Sequence, residues 1–307
     1  MTINNHVTEF AGRPVVTFDS TEDLPPDVGA VAWRLSADYD DSKEAFARLV
    51  EEFLARVTPG AVQALIIGQW GSAYEEEAPV ELLVELAPRL IGLRALFLGE
   101  MTFEESEISW IKQTDVTPLL VAYPGLQTLR VRGSDGLSLT PTRHEGLREL
   151  AFESGGLPAT VVRAVAECDL PALTHLELWL GTDAYLGDAT VEDLAPILSG
   201  SRLPAIEYLG LRDAEIADQV AAALAGAPVV ARLHTLDLSL GILSDDGANA
   251  LLAGQPLTHL RRLDLHHHFV GAELAARLVE ELPGVDVDLS DVQQADRHGD
   301  RYVDVSE

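Results

Sequence analysis

At 307 residues and 47% hydrophobic, the chain carries enough apolar material for a substantial core in one large domain or two small ones, which excludes disorder throughout. A formal net charge of -29 makes nucleic acids and anionic membranes poor partners, because both would repel it. The single cysteine, Cys168, excludes an internal disulfide framework and a multi-thiolate zinc site; with no basic leader and no bilayer-length apolar run, the expected compartment is the cytoplasm.

Residues 1–60 read as an amino-terminal cap. FAGRPVVTF, with apolar positions around a Gly-Arg-Pro turn, predicts a short hairpin or edge strand. VGAVAWRL from Val28 is a degenerate strand motif. Asp41-Ser42-Lys43-Glu44 then opens a helix with an Asp and Glu three apart in the manner of a capping box. Phe46, Leu49, Val50, Phe53, Leu54 and Val57 follow at three-and-four spacing, one apolar face to lay on what comes next.

From residue 61 to 290 the chain repeats itself. V-x-x-L-x-I at Val62 is followed by L-x-x-L-x-L or a close variant at Leu93, Leu126, Leu147, Leu173, Ile206, Leu233 and Leu260, and GVDVDLS from Gly284 is a last degenerate copy. Copies lie about 20 to 33 residues apart, a spacing typical of stacked repeats. Between them run segments of helical period such as DATVEDLAPILSG, DAEIADQVAAALAG, LSDDGANALLAG and VGAELAARLVEEL, with Gly226 and Gly254 where a helix would end. A unit of strand, turn, helix and return cannot bury its own apolar face, so it must stack on its neighbours. The long gap from Gly99 to Leu126, containing FEESEISWIKQTD, predicts a loop insertion. Beyond Ser290 the polar stretch DVQQADRHGDR predicts a mobile tail over residues 291–307, within which Tyr302, Val303 and Val305 are candidates to dock as a final short strand.

These motifs resemble leucine-rich-repeat proteins of the ribonuclease-inhibitor-like, helix-containing type. The resemblance implies an α/β solenoid, a horseshoe with parallel strands on its concave side and helices on its convex side. The sequence departs from the type at one place: where asparagine is usual, three positions past the third leucine, stand Gly181, Ala214, Gly241 and His268. Irregular turns are the expected result. HVTEFAGRPVVTFD near the start and RYVDVSE at the finish are also similar to the ends of a family of bacterial cytosolic leucine-rich-repeat proteins.

In L-x-x-L-x-L the leucines point to the core and the intervening residues to the concave sheet. The position between the second and third leucines gives Ala32, Ile66, Phe97, Arg130, Ala151, Glu177, Gly210, Asp237, Asp264 and Asp288. The position after the third gives Arg34, Gly68, Gly99, Arg132, Glu153, Trp179, Arg212, Ser239, His266 and Ser290, and the position before the second includes Thr128, Glu149, His175, Tyr208, Thr235 and Arg262. The early face is thus apolar and small, the middle mixed, and the end acidic. Arg130, Arg132, Glu149, Glu177, Trp179, Tyr208, Arg212, Asp237, Asp264 and His266 are the candidate partner-binding set, with Trp179 and Tyr208 as exposed anchors. Mutual packing of these side chains along the sheet is the simpler alternative.

The expected function is a non-catalytic adaptor that holds a protein or peptide on its concave face and needs no cofactor. Acidity favours a basic partner. Two alternatives stand beside it. One is a metal-dependent accessory factor or enzyme in which His266, His268 and Asp264, from the run His266-His267-His268, bind a metal. The other is an architectural subunit that self-associates. The sequence leaves the oligomeric state open.

Overall fold

A computed structural model describes residues 3–305. Its backbone is a 12-stranded sheet in strict chain order. β1 (Glu9–Phe10) and β2 (Arg13–Thr17) form an antiparallel hairpin. Every later pairing is parallel: β3 (Ala32–Leu35), β4 (Ala64–Ile67), β5 (Ala95–Leu98), β6 (Thr128–Arg132), β7 (Glu149–Glu153), β8 (His175–Gly181), β9 (Tyr208–Ala214), β10 (Thr235–Asp237), β11 (Arg262–Asp264) and β12 (Asp286–Asp288). Parallel neighbours in chain order require a crossover each time, and a helix supplies most of them. These are α1 (Lys43–Arg56), α2 (Val80–Leu86), α3 (Thr117–Ala122), α4 (Ala159–Glu167), α5 (Val191–Leu198), α6 (Ala217–Leu224), α7 (Asp245–Ala253) and α8 (Ala272–Glu281). The chain is therefore an α/β leucine-rich-repeat solenoid.

The core lies between sheet and helices. Leu96, Leu129, Leu150, Leu176, Leu209, Leu236 and Leu263 hold one register across adjacent strands and are fully buried. Truncating one such leucine to alanine costs ~2–5 kcal/mol in a core that cannot collapse around it. Helix termini follow local chemistry. Ser42 caps α1 by accepting the Ala45 N–H, so the cap sits one residue past the expected Asp41. Thr190 and Asp193 form a reciprocal capping box on α5.

The first repeat is read two residues out of register by its motif. Ala32 pairs with Ala64 and Arg34 with Ile66, so Trp33 and Leu35, not Val31 and Trp33, fill the second and third leucine sites. A slip of two keeps each side chain on its face. It moves Arg34 from the flanking row into the central row.

The missing asparagines also have a structural cause. At Gly181, in left-handed conformation with φ of +67°, an added Cβ would lie 2.0 Å from the Gly155 carbonyl oxygen. Backbone from neighbouring turns occupies the space that an asparagine side chain would take. The Glu215 N–H donates to the Gly181 carbonyl and the Ile242 N–H to that of Ala214. Two turns on, past Gly241, the imidazole of His268 fills the gap.

The tail is docked over its last described residues. Val303 and Val305 are buried while Tyr302 is exposed, and the docking uses isolated backbone hydrogen bonds instead of a strand. The Asp304 N–H donates to the Leu240 carbonyl, and the Val305 N–H to Asp213 Oδ1. Ser306 and Glu307, the end of the RYVDVSE motif, lie outside the described residues.

Candidate functional site

The concave sheet divides into a covered half and an open half. Over β3 to β5 the amino-terminal arm lies across the face: Phe10 packs with Ala32, Ala64, Ile66, Ala95 and Phe97, and Val7 and Val15 close the edge. The Phe10 and Phe97 ring centroids are 5.8 Å apart. An apolar concave surface is costly to leave in water, and the arm removes it. Farther along, the Val7 N–H donates to Glu100 Oε1, and Arg34 forms a buried ion pair with Glu100 at 3.0 Å. The Phe103 N–H donates to the Ile3 carbonyl. The early concave face is thus internal, contrary to its expected exposure.

From β6 onward the face is open and charged. Arg130 reaches Glu149 at 2.6 Å, Glu153 at 3.0 Å and Glu177 at 3.2 Å. Arg132 pairs with Glu153 at 2.8 Å and donates to the Met101 carbonyl. Arg212 joins Glu177 at 2.8 Å to Asp237 at 3.4 Å and donates to Ser239 Oγ. Tyr208 donates its hydroxyl to Asp237 at 2.6 Å, and the His175 ring stacks on it at a centroid distance of 3.7 Å and an angle of 5°. Arg262 holds Asp264, Asp286 and Asp288 at 2.8, 2.6 and 2.6 Å.

Glu177 is the hub. It is 2% exposed and takes donors from Arg130, Arg212, the Trp179 indole and His175. Burial pushes its carboxyl pKa up, but His175, the two guanidinium charges and the indole N–H together hold it well below the usual glutamate range. The burial of Tyr208 and the nearby Glu177 and Asp237 charges push its hydroxyl far above the ordinary tyrosine value, so it acts as a fixed donor.

Trp179 departs most from expectation. It is 7% exposed, packed with Ile3, Ile108, Leu240 and Val305, with Arg212 over its ring. Both ends of the described chain converge on it, which no strand motif encodes. Arg132, Glu177, Asp237 and Asp264 are also buried. Arg130, Glu149, Tyr208, Arg212 and His266 remain partly exposed, and His175 and Arg262, outside the predicted set, join them. Both occupy the row before the second leucine, so their register carried the signal.

The histidine run splits three ways. His266 faces the concave side with Nδ1 2.7 Å from Asp264; that hydrogen bond and charge raise its pKa. His267, at φ of +57°, turns inward with Nε2 3.2 Å from the Tyr302 carbonyl oxygen. His268 is fully buried: Nε2–H donates to the Leu289 carbonyl at 3.1 Å and Nδ1 accepts the Val270 N–H at 3.0 Å. Burial lowers its pKa and keeps it neutral. With both ring nitrogens used by backbone, His268 has none for a metal, so the set of His266, His268 and Asp264 does not assemble. Asp264, His266 and Asp288 do approach one another, as do His267, Asp291 and Asp304; in the first group the single Arg262 guanidinium is shared by both carboxylates.

A crystal structure of a protein from Bacteroides fragilis matches this chain with a TM-score of 0.81 at 30% sequence identity, over 89% of this chain and 77% of that one. The chain belongs to the family of that protein. An internalin from Listeria monocytogenes matches at a TM-score of 0.44 and 13% identity, over 86% of this chain and 69% of the internalin. No family model and no curated protein matches the sequence. Among the described residues no helix is long and apolar enough to cross a membrane.

Cys168 ends α4, buried, with its Sγ accepting the Thr142 N–H; burial raises its thiol pKa, the signature of a packed side chain, not a nucleophile. Asp213 is stranger. It is fully buried at φ of +52°, its Oδ1 accepts the Val305 N–H, and among the described residues no donor reaches Oδ2. Burial pushes its pKa well above the usual aspartate value, outweighing the Val305 bond and the Arg212 charge. A raised carboxyl pKa means stability present below the unfolded value and lost as pH rises through the folded one. Asp213→Asn, which keeps the Val305 bond without the charge, is therefore expected to stabilise the fold by about 1 kcal/mol near neutrality. In urea melts at stepped pH, that gain should vanish below the ordinary aspartate range.

Proposed function

We propose that the chain is a non-catalytic interaction scaffold that takes a protein or peptide on the open half of its concave sheet, β6 to β12. The observation that carries this reading is the ordering of that half. Arg130, Glu149, His175, Tyr208, Arg212, Arg262 and His266 present polar groups from adjacent strands, and each is already held by a partner. Side chains fixed before binding lose little conformational entropy on contact, and rigid charged rows give register and selectivity. The carboxylates outnumber the guanidinium groups along this face, which suits a basic partner. The titratable groups here serve one another, and none is arranged as a nucleophile with a base at hand.

The test reverses charge at the outermost positions. Glu149→Arg with Asp286→Arg is expected to abolish capture of a partner that wild type retains from native extract; circular dichroism at the assay temperature checks that the fold survives the new arginines beside Arg130 and Arg262. Equal capture by Glu273→Arg, on exposed α8, provides the matched control. Retention of the same partner by the concave double variant would remove this reading.

A further inference from the structure

The loops that leave the carboxyl ends of the strands form one long edge of the solenoid, and this edge carries aromatic side chains that the core does not use. Tyr74, after β4, is 48% exposed and Trp110, after β5, 44%. Their rings pack at a centroid distance of 5.1 Å, with Lys112 Nζ 6.0 Å from the Tyr74 centroid on the same stack. Beyond Trp110 lies a cleft of about 310 Å³. Trp110 forms one wall, Tyr185 and Leu186 from the loop after β8 line the cleft with it, and Ser134 and Asp135 come from the loop after β6.

Leu186 is 64% exposed and in left-handed conformation at φ of +72°, a large apolar side chain held in water at a backbone geometry it disfavours. Asp135 is the carboxylate that lines the cleft; exposed Asp183 and Glu75 adjoin Tyr185 and Tyr74 in the chain, and Lys112 and Arg301 are the cations on either side. An aromatic wall beside a carboxylate is the chemistry that holds a cation. The ring face attracts the charge, the carboxylate pairs with it, and the apolar wall packs the side-chain stem.

We propose that this edge cleft receives an arginine side chain from a basic segment of a partner protein, with Trp110 as the stacking face and Asp135 as the ion-pair partner. Arginine fits better than lysine because its flat guanidinium stacks on an indole while its edge donates to a carboxylate. The surface is separate from the concave sheet and does not depend on binding there.

Trp110 also makes the idea measurable in the intact protein, because Trp33, Trp70 and Trp179 are 1%, 0% and 7% exposed. Titration with a short Gly/Ser peptide carrying adjacent arginines should change Trp110 emission saturably. The same peptide with citrulline, equal in shape but uncharged, should not. Asp135→Asn is expected to weaken binding by about ten-fold, the loss of one charge-assisted pair. Isothermal titration should show a comparable loss for Trp110→Ala, whose emission signal is gone. The concave double variant Glu149→Arg with Asp286→Arg should bind the peptide like wild type apart from a small uniform effect of net charge. Equal binding by wild type, Asp135→Asn and Trp110→Ala, or a loss in Glu273→Gln as large as that in Asp135→Asn, would mean general attraction to an acidic chain and overturn the proposal. So would the absence of saturable binding at low ionic strength.

Discussion

Replacing Glu177 by alanine is expected to lower the unfolding free energy by about 3–5 kcal/mol, the range seen when one member of a buried charged network is removed. The change leaves Arg130 and Arg212 facing each other without the carboxylate between them, and it strips the Trp179 indole and His175 of their acceptor. Glu177→Gln retains the shape but not the charge, so it should fall between wild type and alanine. The sign with pH follows from the depressed carboxyl pKa. The unfolded state takes up a proton first, so this contribution is complete above the ordinary glutamate value of 4.5 and drains away as pH falls through the folded value. Chemical denaturation from neutral pH into the acid range measures both. A loss under 1 kcal/mol for the alanine variant would mean that the network adds order without holding the fold.

The second large effect concerns His268. Alanine there leaves the Leu289 carbonyl and the Val270 N–H unpartnered in the interior and opens a cavity, for an expected loss of about 2–5 kcal/mol. Asparagine carries both a donor and an acceptor on a shorter stem, and leucine-rich-repeat sequences of this type use it at this turn. His268→Asn is expected to recover most of the loss. The imidazole is buried and neutral, so its contribution stands above the usual histidine value of 6.5 and weakens as pH falls below it. The asparagine variant should lose that dependence. If alanine and asparagine proved equally damaging, ring packing and not the paired hydrogen bonds would explain the residue.

Much of this architecture is legible in the sequence because the repeat imposes it. Leucines at fixed spacing must face a common core, and that requirement alone sets strand order, parallel pairing and the face of every concave residue. The slip at Ala32 and Arg34 shows the limit: alternation has a period of two, so it fixes the face and leaves the register free by one pair. What the repeat could not reveal comes from segments outside it. Residues 3–10 and 301–305 carry no periodicity that says where they lie, yet they decide that Phe97 is internal and that Trp179 is core. The set of His266, His268 and Asp264 stays apart for a related reason. Three adjacent histidines look like a cluster in one dimension, but a strand that bends at His267 sends them to three environments.

Ile3 and Val305 meet at Trp179, a residue of the central strand β8. In an open stack of repeats each unit touches only its neighbours, so melting can begin at either end and travel inward one unit at a time. Here the first and last described segments are fastened to the middle of the stack. Fraying of an end repeat also pulls on the centre, and the chain gains a mechanical circuit in place of two loose tails. The solenoid is in this sense buckled: both of its described ends are fastened to its middle by its own sequence.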